Sequence, residues 1–158
     1  MDVPAITIRP DDLTNQEVLD LLRFHLDDAA RHSPPESVHA LAPEDVRSTG
    51  VTFWSAWDGP RLLGCGGLKE IDPAHGEIKS MHTAQRSRGR GVGAAMLRHI
   101  IAEAQRRAYR RLSLETGSMD AYAPARALYA RFGFILCGPF ADYRHDPYST
   151  YMTLELAG

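Results

Sequence analysis

Residues 86 to 93 read RSRGRGVG, and the apolar helical run AAMLRHIIAEA follows at once. Arg86, Arg88 and Arg90 alternate with Gly89, Gly91 and Gly93 around the mouth of a helix. Glycine is a poor helix former and neighbouring arginines repel one another. Both costs are offset if an anion occupies the loop. A helix N-terminus exposes unpaired N–H groups and a partial positive charge. Glycines let the backbone approach closely, and arginines add charge and fork-shaped donors. A diphosphate therefore suits this loop, and a strand must deliver the chain to it before the helix leads away.

The flanking pattern supplies those elements. AITIR (5–9) alternates like a strand, and Val18, Leu19, Leu22 and Leu26 recur at helical spacing from Asn15 to Ala30, with Thr14 or Asn15 as cap. Two prolines make 31–41 a loop, and a short helix starts near Pro43. VTFWSAW (51–57), the turn DGP and RLLGCGGLKE (61–70) predict a hairpin, and GEIKSMHT (76–83) predicts a third antiparallel strand. The helix after the loop is expected from Val92 to about Tyr109, with Met96, Ile100, Ile101, Ala104 and Ala108 on its apolar face. RLSLET (111–116) reads as a buried strand, APARALYARFG (123–133) as a helix ending at Gly133, and FILCG and YMTLEL as closing strands. The order predicts an α+β fold, mostly antiparallel, with one central βαβ crossover.

At 158 residues, with 44% hydrophobic and 24% charged residues, the chain suits a single domain, 1–158. Its longest apolar run, LLGCGGL, is too short for a membrane span, and the N-terminal MDVPAITIRPDD lacks the features of a signal peptide, so a cytoplasmic protein is expected. Cys65 and Cys137 lie in apolar strand-like runs without ligand spacing and read as small buried hydrophobes, and the seven histidines form no metal motif, so no metal is expected. RRAYRR (106–111) reads as a solvated helix end favoured by the dipole, not a nucleic-acid site. Charge is uneven: residues 1–58 carry 11 acids and 4 bases, while residues 84–131 carry 3 acids and 10 bases. The oligomeric state stays open, a homodimer included.

Two cofactor classes use such loops. Gly89, Gly91 and Ala94 spell GxGxxA, with Glu115 ending the next strand where a ribose-binding acid of a dinucleotide fold would stand. That fingerprint normally opens a parallel sheet, whereas here it follows an antiparallel meander. Arg88, Gly91 and Gly93 instead match Q/R-x-x-G-x-G/A, and Arg86, Gly89 and Gly91 fit the same pattern. Together with EIKSMHT, LSLET and ARALYARFGF, in that order, this signature resembles the GNAT superfamily of N-acetyltransferases. SPPES, EIKSM, SLETGS and PFADY are similar to its YsnE-like bacterial branch.

The resemblance implies that the fourth and fifth strands start parallel and splay into a V that admits the pantetheine arm of acetyl-CoA. The pyrophosphate would rest on Arg88, Gly89, Arg90, Gly91, Val92, Gly93 and Ala94. Met81, His82 and Thr83 would serve the pantetheine and thioester through main-chain atoms, an N–H near Met81 holding the oxyanion. Glu77 would be the general base, expected on one strand face with Lys79 and Met81, although ordered water serves in many relatives. Tyr129, from the "LY" pair, would protonate the leaving thiolate, at about 2 kcal/mol with reference acidities. The family often has Asn seven residues earlier, where this chain has Tyr122, and that cofactor contact stays open. Glu36 and Asp142, on polar loops, are candidate substrate contacts.

The expected reaction is direct acetyl transfer to a primary amine of a small molecule or peptide. A non-catalytic acyl-CoA-binding module on the same fold and a dinucleotide-binding protein are the alternatives. The acids of the N-terminal half, Asp20, Asp27, Asp28, Glu36, Glu44 and Asp45, would wall the acceptor side and favour a cationic acceptor.

Overall fold

Asn15 starts the first helix: its side-chain oxygen accepts hydrogen bonds from the Glu17 and Val18 N–H groups. The computed structural model describes residues 5–48 and 50–156. Residues 1–4 of the N-terminal stretch, and both chain ends of the single-domain reading, lie outside them. Strand β1 (Thr7–Pro10) precedes helix α1 (Gln16–His32), and α2 (Pro43–Ser48) follows. α1 runs two residues beyond the expected end, and the proline loop keeps only a single 3₁₀ turn, Pro35–Ser37. β2 (Thr52–Asp58), β3 (Arg61–Asp72) and β4 (His75–Thr83) form the expected meander. Then come α3 (Val92–Arg106), β5 (Arg111–Gly117), α4 (Ala123–Arg131), β6 (Ile135–Cys137) and β7 (Ser149–Glu155).

The seven strands form one sheet in the order β1-β2-β3-β4-β5-β7-β6. Every neighbouring pair is antiparallel except β4 and β5, so the α+β reading with one parallel crossover holds. Each face of the sheet buries a separate core. Ile78, Leu112 and Leu114 pack with Met96, Leu97 and Ile100 of α3 and with Tyr129 of α4. Phe53, Trp57 and Cys65 pack with Val18 and Leu22 of α1. The glycines of LLGCGGL have a packing reason: a Cβ on Gly66 would lie 2.9 Å from Met96 Cγ and 3.1 Å from Ile100 Cδ1. α3 therefore rests directly on the β3 backbone.

Two expectations change. α3 stops at Arg106 rather than near Tyr109, because Ala108 turns the chain in a left-handed conformation at φ 63°. That turn drops the Tyr109 ring into the core over Gly76, whose added Cβ would meet the ring at 2.8 Å. Burying an aromatic ring outweighs three further helical residues. Cys137 is only half-buried, since β6 is the edge strand and leaves Leu136 72% exposed. Among the described residues no helix is long and apolar enough to cross a membrane.

Candidate active site

β4 and β5 pair only at His75–Arg111, Gly76–Leu112 and Glu77–Ser113. Beyond Glu77 the strands part, and the β5-facing backbone edge of β4 has no strand partner there. A cavity of about 790 Å³ occupies the opening and reaches both sides of the sheet. On one side it is lined by Arg88, Gly89, Gly91, Val92, Gly93 and Ala94, and by Leu128 and Tyr129 of α4. On the other it is lined by His25 and Asp28 of α1, His39, Glu77, Lys79, Glu115 and Tyr143.

The glycine-arginine loop behaves as an open helix mouth. Gly91 caps α3 with φ 84° and no side-chain hydrogen bond, so the first N–H groups of the helix are left unsatisfied by it. Gly89 also takes a positive φ, 76°, and an added Cβ would meet nothing at either position within 4 Å. The conformation, not crowding by protein, calls for glycine here. Arg88 lines the cavity, whereas Arg86 turns away and donates to the Leu62 carbonyl at 3.1 Å. Arg90 is exposed and does not line the cavity. The later register, Arg88-x-x-Gly91-x-Gly93, is thus the one that faces the opening.

On β4 the alternation breaks at Ser80, where φ is 53° and the pairing with β3 shifts opposite Gly66. Glu77 and Lys79 share a face as expected, but Met81 does not join them. The bulge sends Met81 to the side of Ile78 and the α3 core, while His82 turns toward α1. His82 Nδ1 lies 2.9 Å from His25 Nδ1, and burial lowers both rings, to about 4 for His82 and about 3 for His25. Both are neutral at physiological pH. Met81, His82 and Thr83 all line the cavity.

Glu77 is buried, at 4% exposure, and is not a free carboxylate. Lys79 Nζ donates to its Oε2 at 3.2 Å, and the Tyr143 hydroxyl donates to the same oxygen. Lys79 also donates to the Tyr143 hydroxyl, at 3.0 Å. Glu115 is the residue that sequence reasoning gave only a ribose-binding part. It stands two residues past the last β4–β5 pair, on the face of Ser113 and Glu77. Burial, with Glu77 nearby, raises its pKa from 4.5 to about 7. A carboxyl so poised is a candidate proton acceptor at neutral pH.

Tyr129 sits on the opposite side of the sheet, 6% exposed, its ring 5.8 Å from that of Phe134. Burial and the Glu115 charge push its hydroxyl well above the usual tyrosine range, so the proton costs more than reference acidities imply. Tyr122 lines the cavity and lies on Gly117, where an added Cβ would fall 2.2 Å from its ring. Glu36 and Asp142 do not reach the large cavity. They line a second one, of about 380 Å³, that shares His39, Glu77, Lys79 and Tyr143 with the first. The supposed acidic wall is mostly turned away. Asp28 alone of the six acids lines the large cavity, Glu44 pairs with Arg23 at 3.3 Å, and Asp20 accepts from Gln16. Among the described residues no cluster of three or more His, Cys, Asp or Glu could hold a metal.

The model of the acetyltransferase (GNAT) family matches residues 16–134. The chain belongs to the GNAT acetyltransferase family. It is 54% identical over 149 residues to the uncharacterized N-acetyltransferase YsnE of Bacillus subtilis, covering 94% of this chain and 99% of that one. It is 48% identical over 150 residues to the uncharacterized N-acetyltransferase YedL of Escherichia coli, covering 95% and 94%. The fold superposes on a GNAT acetyltransferase of Elizabethkingia anophelis, crystallised with acetyl-CoA, with a TM-score of 0.70, 22% identity and 96% and 98% coverage. The sheet has a single parallel pair, unlike the parallel sheet that a dinucleotide fingerprint opens.

Proposed function

We propose that this GNAT protein is an acetyl-CoA-dependent N-acetyltransferase that transfers acetyl directly to a primary amine of a small molecule or peptide. The observation that carries the reading is the cavity that passes through the parted β4–β5 edge, joining an uncapped helix N-terminus to a pair of carboxylates. The residues fit the co-substrate. The α3 N–H groups and Arg88 suit a pyrophosphate, and the unpaired β4 edge suits an amide-bearing arm. Acetyl-CoA supplies an activated acetyl group as a thioester.

The chain's own residues divide the proton traffic between the two faces. Glu115 takes a proton from the acceptor's ammonium so that the free amine can attack, because its raised proton affinity matches neutral pH. Glu77, the base expected from sequence, is already engaged with Lys79 and Tyr143, and in this reading it attracts and orients the amine. A main-chain N–H on the open edge near Met81 steadies the oxyanion. Tyr129, on the cofactor side, returns a proton to the sulfur as the C–S bond breaks. Glu36 and Asp142 border the route by which the rest of the acceptor leaves the site. The acceptor's charge preference rests on Glu77, Glu115 and Asp28 against Lys79, and not on the N-terminal acids as a group.

An amine panel with acetyl-CoA and a thiol-detecting readout tests the reading. Thermal protection by acetyl-CoA but not NAD, with thiol release on at least one amine, is expected. Protection without release on any amine would make the protein an acyl-CoA-binding module.

A further inference from the structure

The two cavities have four lining residues in common: His39, Glu77, Lys79 and Tyr143. These side chains form the partition between the V-shaped opening and the smaller, outer cavity. Three separate segments meet there: the connection between α1 and α2, strand β4, and the loop between β6 and β7. Tyr143 is the member that touches all the others. Its hydroxyl donates to Glu77 Oε2 and accepts from Lys79 Nζ. Its ring meets His39 edge-on at 5.0 Å and packs against Phe140 at 5.0 Å and Tyr151 at 5.5 Å.

Buried charges need several hydrogen bonds to hold one geometry, and a pair with one partner missing is costly. Lys79 and Glu77 are both largely buried, at 11% and 5% side-chain exposure, so the hydroxyl between them decides where the carboxylate points. His39 adds a second sign of an unfilled site. Its Nε2 is buried without a protein partner, and burial together with Lys79 lowers its pKa below that of an ordinary imidazole.

We propose that Tyr143 is a positioning residue: its hydroxyl fixes Glu77 and Lys79 as the polar partition against which the acceptor amine is held. The proposal rests on the transferase reading for its consequence, but the Tyr143–Glu77 relation can be measured without turnover. Tyr143→Phe keeps the ring and its stacking and removes only the hydroxyl, so folding is retained.

Two measurements test it. With side-chain ¹³C-labelled glutamate, the carboxyl resonance that disappears in Glu77→Gln is compared at one pH in the wild type and in Tyr143→Phe. Its chemical shift is expected to move in the variant, because the carboxylate has lost the Tyr143 hydroxyl as a hydrogen-bond donor. In steady-state assays with the best amine of the panel, the acceptor KM should rise about 10-fold, the loss of one charge-assisted hydrogen bond. Acetyl-CoA affinity should stay the same. Tyr143→Leu, which also removes the ring, should show both effects and a lower melting temperature.

An unmoved carboxyl resonance would overturn the proposal whatever the turnover. A moved resonance with unchanged acceptor KM would overturn it too, reducing Tyr143 to a structural tie. If the wild type binds acetyl-CoA but acetylates no amine, the transferase reading and the positioning role fall together. The carboxyl resonance would then still report the pairing with Glu77.

Discussion

Glu77 and Glu115 stand on the same face of neighbouring strands, at the place where β4 and β5 cease to pair. Their surroundings differ. Lys79 and Tyr143 donate to Glu77, whereas burial beside another carboxylate lifts Glu115 to about 7. Glu115→Gln is expected to lower kcat/KM by roughly 10²-fold and to abolish an acidic limb centred near pH 7. An intact limb in that variant returns the base to Glu77 or to water.

The same group predicts a stability change of opposite sense. Its folded pKa, about 7, lies above the ordinary 4.5, so the folded chain binds this proton more tightly. Stability is therefore full below about 4.5 and falls as pH rises through 7, by up to roughly 3 kcal/mol. Glu115→Gln should melt higher than the wild type at pH 8 and equally at pH 4.5, as calorimetric scans at the two pH values would reveal.

Tyr129→Phe should leave acetyl-CoA affinity unchanged and lower kcat by roughly 10²-fold. Burial raises this hydroxyl, so its ionisation adds no basic limb below pH 10. Unchanged turnover would make Tyr129 a core residue only.

Gly91→Val should weaken acetyl-CoA binding, because φ 84° strains any β-branched residue and moves the N–H groups of α3. Arg106→Ala, at an exposed helix end paired with Glu103, should bind as the wild type does. Titration calorimetry compares the two, and an equal loss would remove the loop from the binding site.

Gly66→Val is a stability test away from the chemistry. The side chain would collide with Met96 and Ile100, so a loss of about 1–3 kcal/mol in urea denaturation is expected. No loss would mean that α3 does not rest on β3.

Much of this molecule is readable from short-range sequence. Asn15 caps a helix because its own side chain reaches the next N–H groups, and Gly133 ends one at φ 95°. The strand–turn–strand runs and the Arg88–Gly93 loop follow from periodicity, turn residues and the needs of a helix mouth, and so the element order emerged correctly. Interruptions of that regularity were invisible. The bulge at Ser80 turns Met81 away from Glu77, and the turn at Ala108 ends α3 early to bury Tyr109. Both are choices that the packed sheet imposes on residues with no special local signal.

The sequence by itself determined the family, the order of elements and the glycine-arginine loop at a helix mouth, because each is encoded by neighbours along the chain. Only the tertiary structure decided the chemistry of the carboxylates. Tyr143 reaches Glu77 across 66 positions, Glu36 and Asp142 meet in the outer cavity rather than the inner one, and most of the acidic half faces elsewhere. Burial and charge proximity set proton affinity, and both are properties of three-dimensional surroundings that no local pattern of residues specifies.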